Sequence, residues 1–199
     1  VNQDRRDRLR DGALTVLAEA GGRGLTHRAV DAAAAVPPGT AKNYFPTRDS
    51  LLRAAAERCL ERYRGVAAGL AGAGAGPADR TALAALLAGL LREVAGPGRP
   101  RVLAYLELRT EAARRPWLAA LLDPVGASDF AAYERLLRTA GLPAGPERAR
   151  TLTLAVHGAI PHLLAGAPDT LAAAGLDDLE GFARGVLACA CPERPEEDM

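Results

Sequence analysis

Two consecutive prolines, Pro37-Pro38, interrupt a stretch whose apolar spacing is otherwise helical, and no single element can run through them. Each lacks an amide hydrogen and clashes with the preceding turn, yet proline is tolerated where a helix begins. The chain must turn tightly there and start a new short helix, about 39–45, which Pro46 stops. Upstream, Leu9, Ala13, Val16, Leu17 and Ala20 fall at i, i+4, i+7, i+8 and i+11, one face of a helix over about 4–20 that Gly21-Gly22 ends. Thr26 caps a second helix running to about Ala35, with Leu25 at the right offset to pack on Val30 as a hydrophobic staple. Downstream, Thr47 caps a helix over about 48–66, and Asp49 suits the positive end of its dipole.

The apolar residues, 49% of the chain, are dominated by Ala and Leu, with only 4% aromatics. Those are strong helix formers, so the fold class expected is all-α. Glycines at 69, 72, 74 and 76 predict a loop over 69–77. Breaks at 96–98, 116, 141–145 and 166–168 mark five further helices near 78–95, 99–114, 116–140, 146–166 and 176–190, about nine in all. The division is a helix-turn-helix head over 1–47, a connecting helix and loop over 48–76, a helical body over 77–191 and a proline-rich acidic tail over 192–199, read as disordered. No apolar run reaches the roughly 18 to 20 residues of a membrane span, and the polar opening segment does not look like a signal peptide, so the chain reads as cytoplasmic. Cys59, Cys189 and Cys191 read as free thiols, the last two as small buried apolar side chains near a helix end.

The net charge is +1, but it is unevenly spread. Residues 1–64 hold twelve Arg or Lys against eight Asp or Glu, and the remainder thirteen against sixteen. A basic head on a mildly acidic body suits contact with nucleic acid at one end only. In a helix-turn-helix the second helix enters the major groove while the first braces it. On the short helix, Thr40, Asn43 and Tyr44 lie at i, i+3 and i+4, opposite the apolar pair Ala41 and Phe45, so the polar trio is expected to face outward. Lys42, the chain's single lysine, lies near that face and suits a phosphate or guanine contact. Asn43 is the candidate base reader, since an amide pairs bidentately with adenine. Thr40, Tyr44 and the Gly39 backbone amide suit phosphates. His27, Arg28 and Arg48 are placed as clamps at two helix starts, and for His27 a plain solvated position weighs equally.

The runs Gly24-Leu25-Thr26-His27-Arg28-Ala29-Val30 and Val36-Pro37-Pro38-Gly39-Thr40-Ala41-Lys42-Asn43-Tyr44-Phe45-Pro46-Thr47-Arg48-Asp49-Ser50-Leu51-Leu52 resemble the DNA-binding signature of TetR regulators. The resemblance covers about residues 5–65 and brings Thr26 and Pro38 into the DNA-binding set. Ala41 stands where the family commonly has leucine, and Lys42-Asn43-Tyr44 replaces a tyrosine-histidine-histidine type of run, which leaves the operator sequence open. The family implies a repressor of double-stranded operator DNA, released by a small-molecule effector. It further implies a ligand pocket among the fifth to seventh helices and a homodimer through the eighth and ninth.

Apolar stripes at Leu152, Val156, Ile160 and Leu163-Leu164, and at Leu179, Phe182, Val186 and Leu187, suit such an interface or the chain's own core. Pocket candidates are the large amphipathic side chains Tyr105, Arg109, Trp117 and Tyr133, with His157 as a pocket-lining or structural residue. His157 and His162 are five apart and share no helical face, and Glu107 with Glu111 has no neighbouring histidine, so no metal or other cofactor is called for. An enzyme is the rival reading, but no nucleophile with its base, phosphate loop or productive carboxylate pair is present. A helical interaction module that does not bind DNA is the other.

Overall fold

The computed structural model describes the backbone of residues 2–72 and 76–192, and their side chains apart from those of 66–72. Ten helices occur among these residues, and no strand. In order they are α1 Gln3–Gly24, α2 His27–Ala33, α3 Thr40–Tyr44, α4 Arg48–Gly72, α5 Arg80–Ala95, α6 Arg99–Ala112, α7 Pro116–Thr139, α8 Pro146–Ala165, α9 Pro168–Ala173 and α10 Leu179–Ala190.

Three boundaries differ from the sequence expectation. Gly21-Gly22 kinks α1 without ending it: Gly21 takes a left-handed φ of 66° and the helix resumes to Gly24. α4 passes through Gly69 to Gly72 instead of giving way to a loop at 69. Each interior glycine costs about 1 kcal/mol relative to alanine, but a helix already nucleated gains one backbone bond per added residue. The short α9 was read as part of a break. Pro168 occupies its first turn and Gly175, at φ 68°, follows its end, so six residues fit between two stop signals. Of the expected tail over 192–199, residues 193–199 lie outside the described residues.

The chain forms two compact units, Val1–Ala73 with Gly98–Val125, and Gly74–Pro97 with Gly126–Met199. The first therefore includes α6, which the sequence division placed wholly in the body. The reason is burial: Ala104, Leu108 and Ala112 of α6 enter the same apolar cluster as Leu9 and Leu17 of α1 and Leu51 and Leu52 of α4. The second unit is built on Leu83, Leu87 and Leu91 of α5, Leu137 of α7, Leu152 and Val156 of α8 and Leu187 of α10. Each fully buried leucine contributes roughly 1.5–3 kcal/mol by leaving water. Of the apolar stripes on α8 and α10, Leu152, Val156 and Leu187 are thus buried in this unit's own core, and Leu163, Leu179, Phe182 and Val186 pack against it. Cys59 and Cys191 are buried and Cys189 is exposed, which corrects the reading of Cys189 as an internal side chain. Burial pushes the Cys59 thiol up to about 11.

Polar groups tie α1 to α4. The buried Arg10 guanidinium donates to Asp7 at 3.0 Å, to Glu61 at 2.6 Å and to the Ala54 carbonyl at 3.4 Å. Arg58 forks onto Asp11 at 2.6 and 2.9 Å, and Arg62 joins it at 2.9 Å. The Arg10 hydrogen bond holds the Glu61 carboxyl below its ordinary range. Burial alone raises the Asp11 carboxyl, but the Arg58 hydrogen bond with the charges of Arg62 and Arg58 brings it below its usual value. A carboxylate depressed in this way stabilises the fold above its unfolded pKa, about 4, and that contribution is lost as pH falls through the depressed value. The thermal midpoint should therefore drop on acidification below about pH 4. Glu61→Gln, which cannot ionise, should lower the midpoint at neutral pH and flatten its acid limb, as followed by circular dichroism.

Candidate DNA-binding surface

The surface is made by α2, the turn after it and α3. Thr26 caps α2 as expected, its hydroxyl accepting from the Ala29 amide at 3.1 Å. Leu25 and Val30 are both buried in the head's cluster. α2 ends in a Schellman arrangement: the Ala35 amide donates to Ala32 O at 3.1 Å and the Val36 amide to Asp31 O at 3.0 Å, with Ala35 itself left-handed at φ 50°. The chain then crosses Pro37-Pro38 and enters α3 at Gly39, whose φ of 86° favours glycine. Ala41 and Phe45 are buried beneath α3, while Lys42 and Asn43 are exposed on it.

The other predicted residues divide. Thr26, Arg28 and Pro38 are exposed. Thr40 is half-buried, and its hydroxyl donates to Pro37 O at 2.5 Å. Tyr44 is also half-buried, packed on the cluster beside Phe45 instead of facing fully outward. Three assignments require correction. The Gly39 amide, assigned to phosphate, donates to the Asp31 carboxylate at 2.7 Å. The His27 ring, read as a clamp, bonds through Nε2 to Phe45 O at 2.6 Å, so that nitrogen carries the proton. Arg48, the other clamp, spends its guanidinium on the carbonyls of Leu25 and Gly22, tying the start of α4 to the end of α1. Backbone carbonyls at the ends of α1 and α3 claim the two side-chain donors, and a carboxylate claims the amide.

Sequence reasoning missed Asp31. It is only 3% exposed and accepts from both Gly39 N and Ala41 N, at 2.7 and 2.6 Å. A signal was available, since Asp31 adjoins Val30 and Ala34 on the buried side of α2, where an unpaired carboxylate would be costly. Glu107, weighed in the sequence as a metal partner of Glu111, has a structural role instead. It accepts from the Gly22 amide at 2.7 Å, while Glu111 pairs with Arg115.

The pocket candidates fall into separate groups. In the first unit Tyr105 stacks on Tyr63 with centroids 6.1 Å apart, Arg53 lies over Trp117 at 4.6 Å, and Arg109 is exposed. In the second, Tyr133 and His157 meet edge to face at 6.2 Å, and His157 Nε2 is 3.4 Å from Asp129. Burial, aided by the Asp129 charge, pushes the Tyr133 hydroxyl well above its usual range.

Residues 78–188 match the family model described as the tetracyclin repressor-like C-terminal domain. The chain belongs to the TetR family. It is accordingly a ligand-responsive transcriptional regulator, in a family whose members are generally not enzymes. A TetR-family member from Streptomyces coelicolor A3 is 32% identical, with 96% of this chain and 99% of that one covered and a TM-score of 0.65. The multidrug binding protein EbrR, in complex with ethidium, is 33% identical over 96% and 99%, with a TM-score of 0.64. A transcriptional regulator from Rhodococcus sp. Rha1 shares the fold with a TM-score of 0.73 at 22% identity, over 96% and 99%. No curated protein matches the sequence. Among the described residues of this TetR-family chain, no helix is long and apolar enough to cross a membrane.

Ala35 carries a testable cost within this surface. A left-handed alanine is strained by roughly 1–2 kcal/mol, and glycine returns about 0.4–1 of that as unfolded-chain entropy. Ala35→Gly should stabilise the protein by about 0.5–1 kcal/mol in denaturant titrations.

Proposed function

We propose that this regulator is a repressor whose head grips operator DNA through α3 and which a small organic effector releases. The observation that carries the reading is the split of α3 into a buried face, Ala41 and Phe45, and an exposed one, Lys42 and Asn43. Asn43 reads a base edge and Lys42 meets phosphate or guanine, with Thr26, Arg28, Pro38, Thr40 and Tyr44 alongside the backbone. The effector is bound within residues 77–191, with Tyr133 and His157 the favoured contacts because they place an aromatic ring, a hydroxyl and an imidazole together. EbrR, a relative, is a multidrug binding protein crystallised with ethidium, which supports a small organic effector here.

The protein acts as a homodimer through α8 and α10. Support comes from Phe130 and Leu154, exposed large apolar side chains at 37% and 56%. An open apolar groove of about 500 Å³, lined by Thr151, Ala155, Phe182, Gly185, Val186 and Cys189, runs beside α10. Repression by such a dimer is relieved when effector shifts its population toward a state that no longer fits DNA.

Asn43→Ala should relax discrimination at one operator position by about 1–3 kcal/mol, measured as binding across single-base variants; unchanged preference removes Asn43 from the reader's role. Lys42→Ala should weaken binding to all duplexes and flatten the salt dependence by about one phosphate contact, measured by titration at several salt concentrations. Leu154→Glu should leave the helical content intact and shift sedimentation toward the monomer; an unaltered dimer would remove this face from the interface.

A further inference from the structure

The helix that carries the exposed readers has no cap of its own. Its N-cap is Gly39, which has no side chain, and Pro37 and Pro38 before it have no amide to offer. Of the amides that open α3, Thr40 N donates to Pro37 O at 3.2 Å, and those of Gly39 and Ala41 donate to the two carboxylate oxygens of Asp31. Asp31 lies on the preceding helix and is almost wholly enclosed. We propose that Asp31 is a positioning residue for operator discrimination, whose buried carboxylate seats α3 on α2 and so fixes the pose of Asn43. The proposal rests on the DNA-binding reading of α3 given above.

The chemistry distinguishes this role from general support. A carboxylate accepts through both oxygens, and charge-assisted bonds of this length are the strong ones. An asparagine keeps one acceptor and turns an NH₂ group toward an N–H, so the isosteric change removes one bond and sets two donors against each other. A five-residue helix freed at its N-terminal end can rotate on the buried Ala41 and Phe45. Bidentate pairing with a base edge does not survive a small rotation, because both hydrogen bonds must align together. A flexible ammonium such as that of Lys42 follows a phosphate through the same rotation. Loss of Asp31 should therefore erase sequence discrimination while sparing salt-dependent, sequence-independent binding.

The probe is a duplex that the wild-type protein enriches from a random-sequence pool, compared with a scrambled duplex of the same composition. Asp31→Asn and Asp31→Ala should reduce the affinity ratio of enriched to scrambled duplex by about tenfold or more. Their binding to scrambled DNA and their helical content should stay near wild type. Leu60→Ala, which weakens the same apolar cluster from α4, should keep the ratio. Variants that discriminate as well as wild type, or a Leu60→Ala variant that discriminates as poorly as they do, would overturn the proposal. Should the Asp31 variants fail to fold, hydrogen exchange in the wild-type protein decides. Slowing of the Gly39 and Ala41 amides by about 100-fold supports the seat, and exchange at the free-chain rate overturns it. If the wild-type protein enriches no duplex at all, the DNA-binding reading fails first and this proposal falls with it.

Discussion

A helix of five residues makes too few backbone hydrogen bonds to offset the entropy of ordering it, so α3 lasts only while other parts of the head hold it. Asp31 supplies acceptors at its start, Ala41 and Phe45 anchor its underside, and the His27 ring takes up the carbonyl that follows its last turn. Arg6 adds a cation over the Phe45 ring at 5.2 Å. The surface offered to DNA is small because most polar groups near it are consumed in presenting it.

The same economy governs the end of α1. Gly22 donates its amide to Glu107 of α6 and gives its carbonyl to Arg48 of α4, so one residue joins three helices of the first unit. A side chain there would have to displace Glu111, since a Cβ on Gly22 would lie 2.9 Å from Glu111 Oε1. The left-handed Gly21 beside it produces the kink that brings the pair to α6. Several charged residues in this head, Arg10, Arg48 and Arg58 among them, thus work as ties between helices.

The helices were legible where periodic apolar residues and hard stops coincide, as at Pro37-Pro38, Pro46 and Pro116. They were less legible where the stop was only a glycine. Gly21, Gly69 and Gly72 all lie within helices, because glycine lowers helical stability without blocking the backbone bond. On α3 the spacing placed Asn43 outward and Ala41 and Phe45 inward, but it did not foresee that Thr40 and Tyr44 are half-buried. Nor did it foresee the roles of His27, Arg48 and the Gly39 amide, because their partners are backbone carbonyls and a carboxylate that only the folded chain brings near. Asp31 and Glu107 escaped for the same reason: partners eight and eighty-five positions away leave no local pattern. On α8 and α10 the period was right, with Leu152, Val156 and Leu187 inside, while Leu154, which lies off that stripe, is outside.

Hydroxyl-radical footprinting on a duplex enriched by the protein bears most directly on a groove-reading head. Two heads placing α3 in successive major grooves should leave two protected patches on one side of the duplex, centred about one helical turn or 34–36 Å apart. A lone patch, or even protection along the whole duplex, would contradict that arrangement.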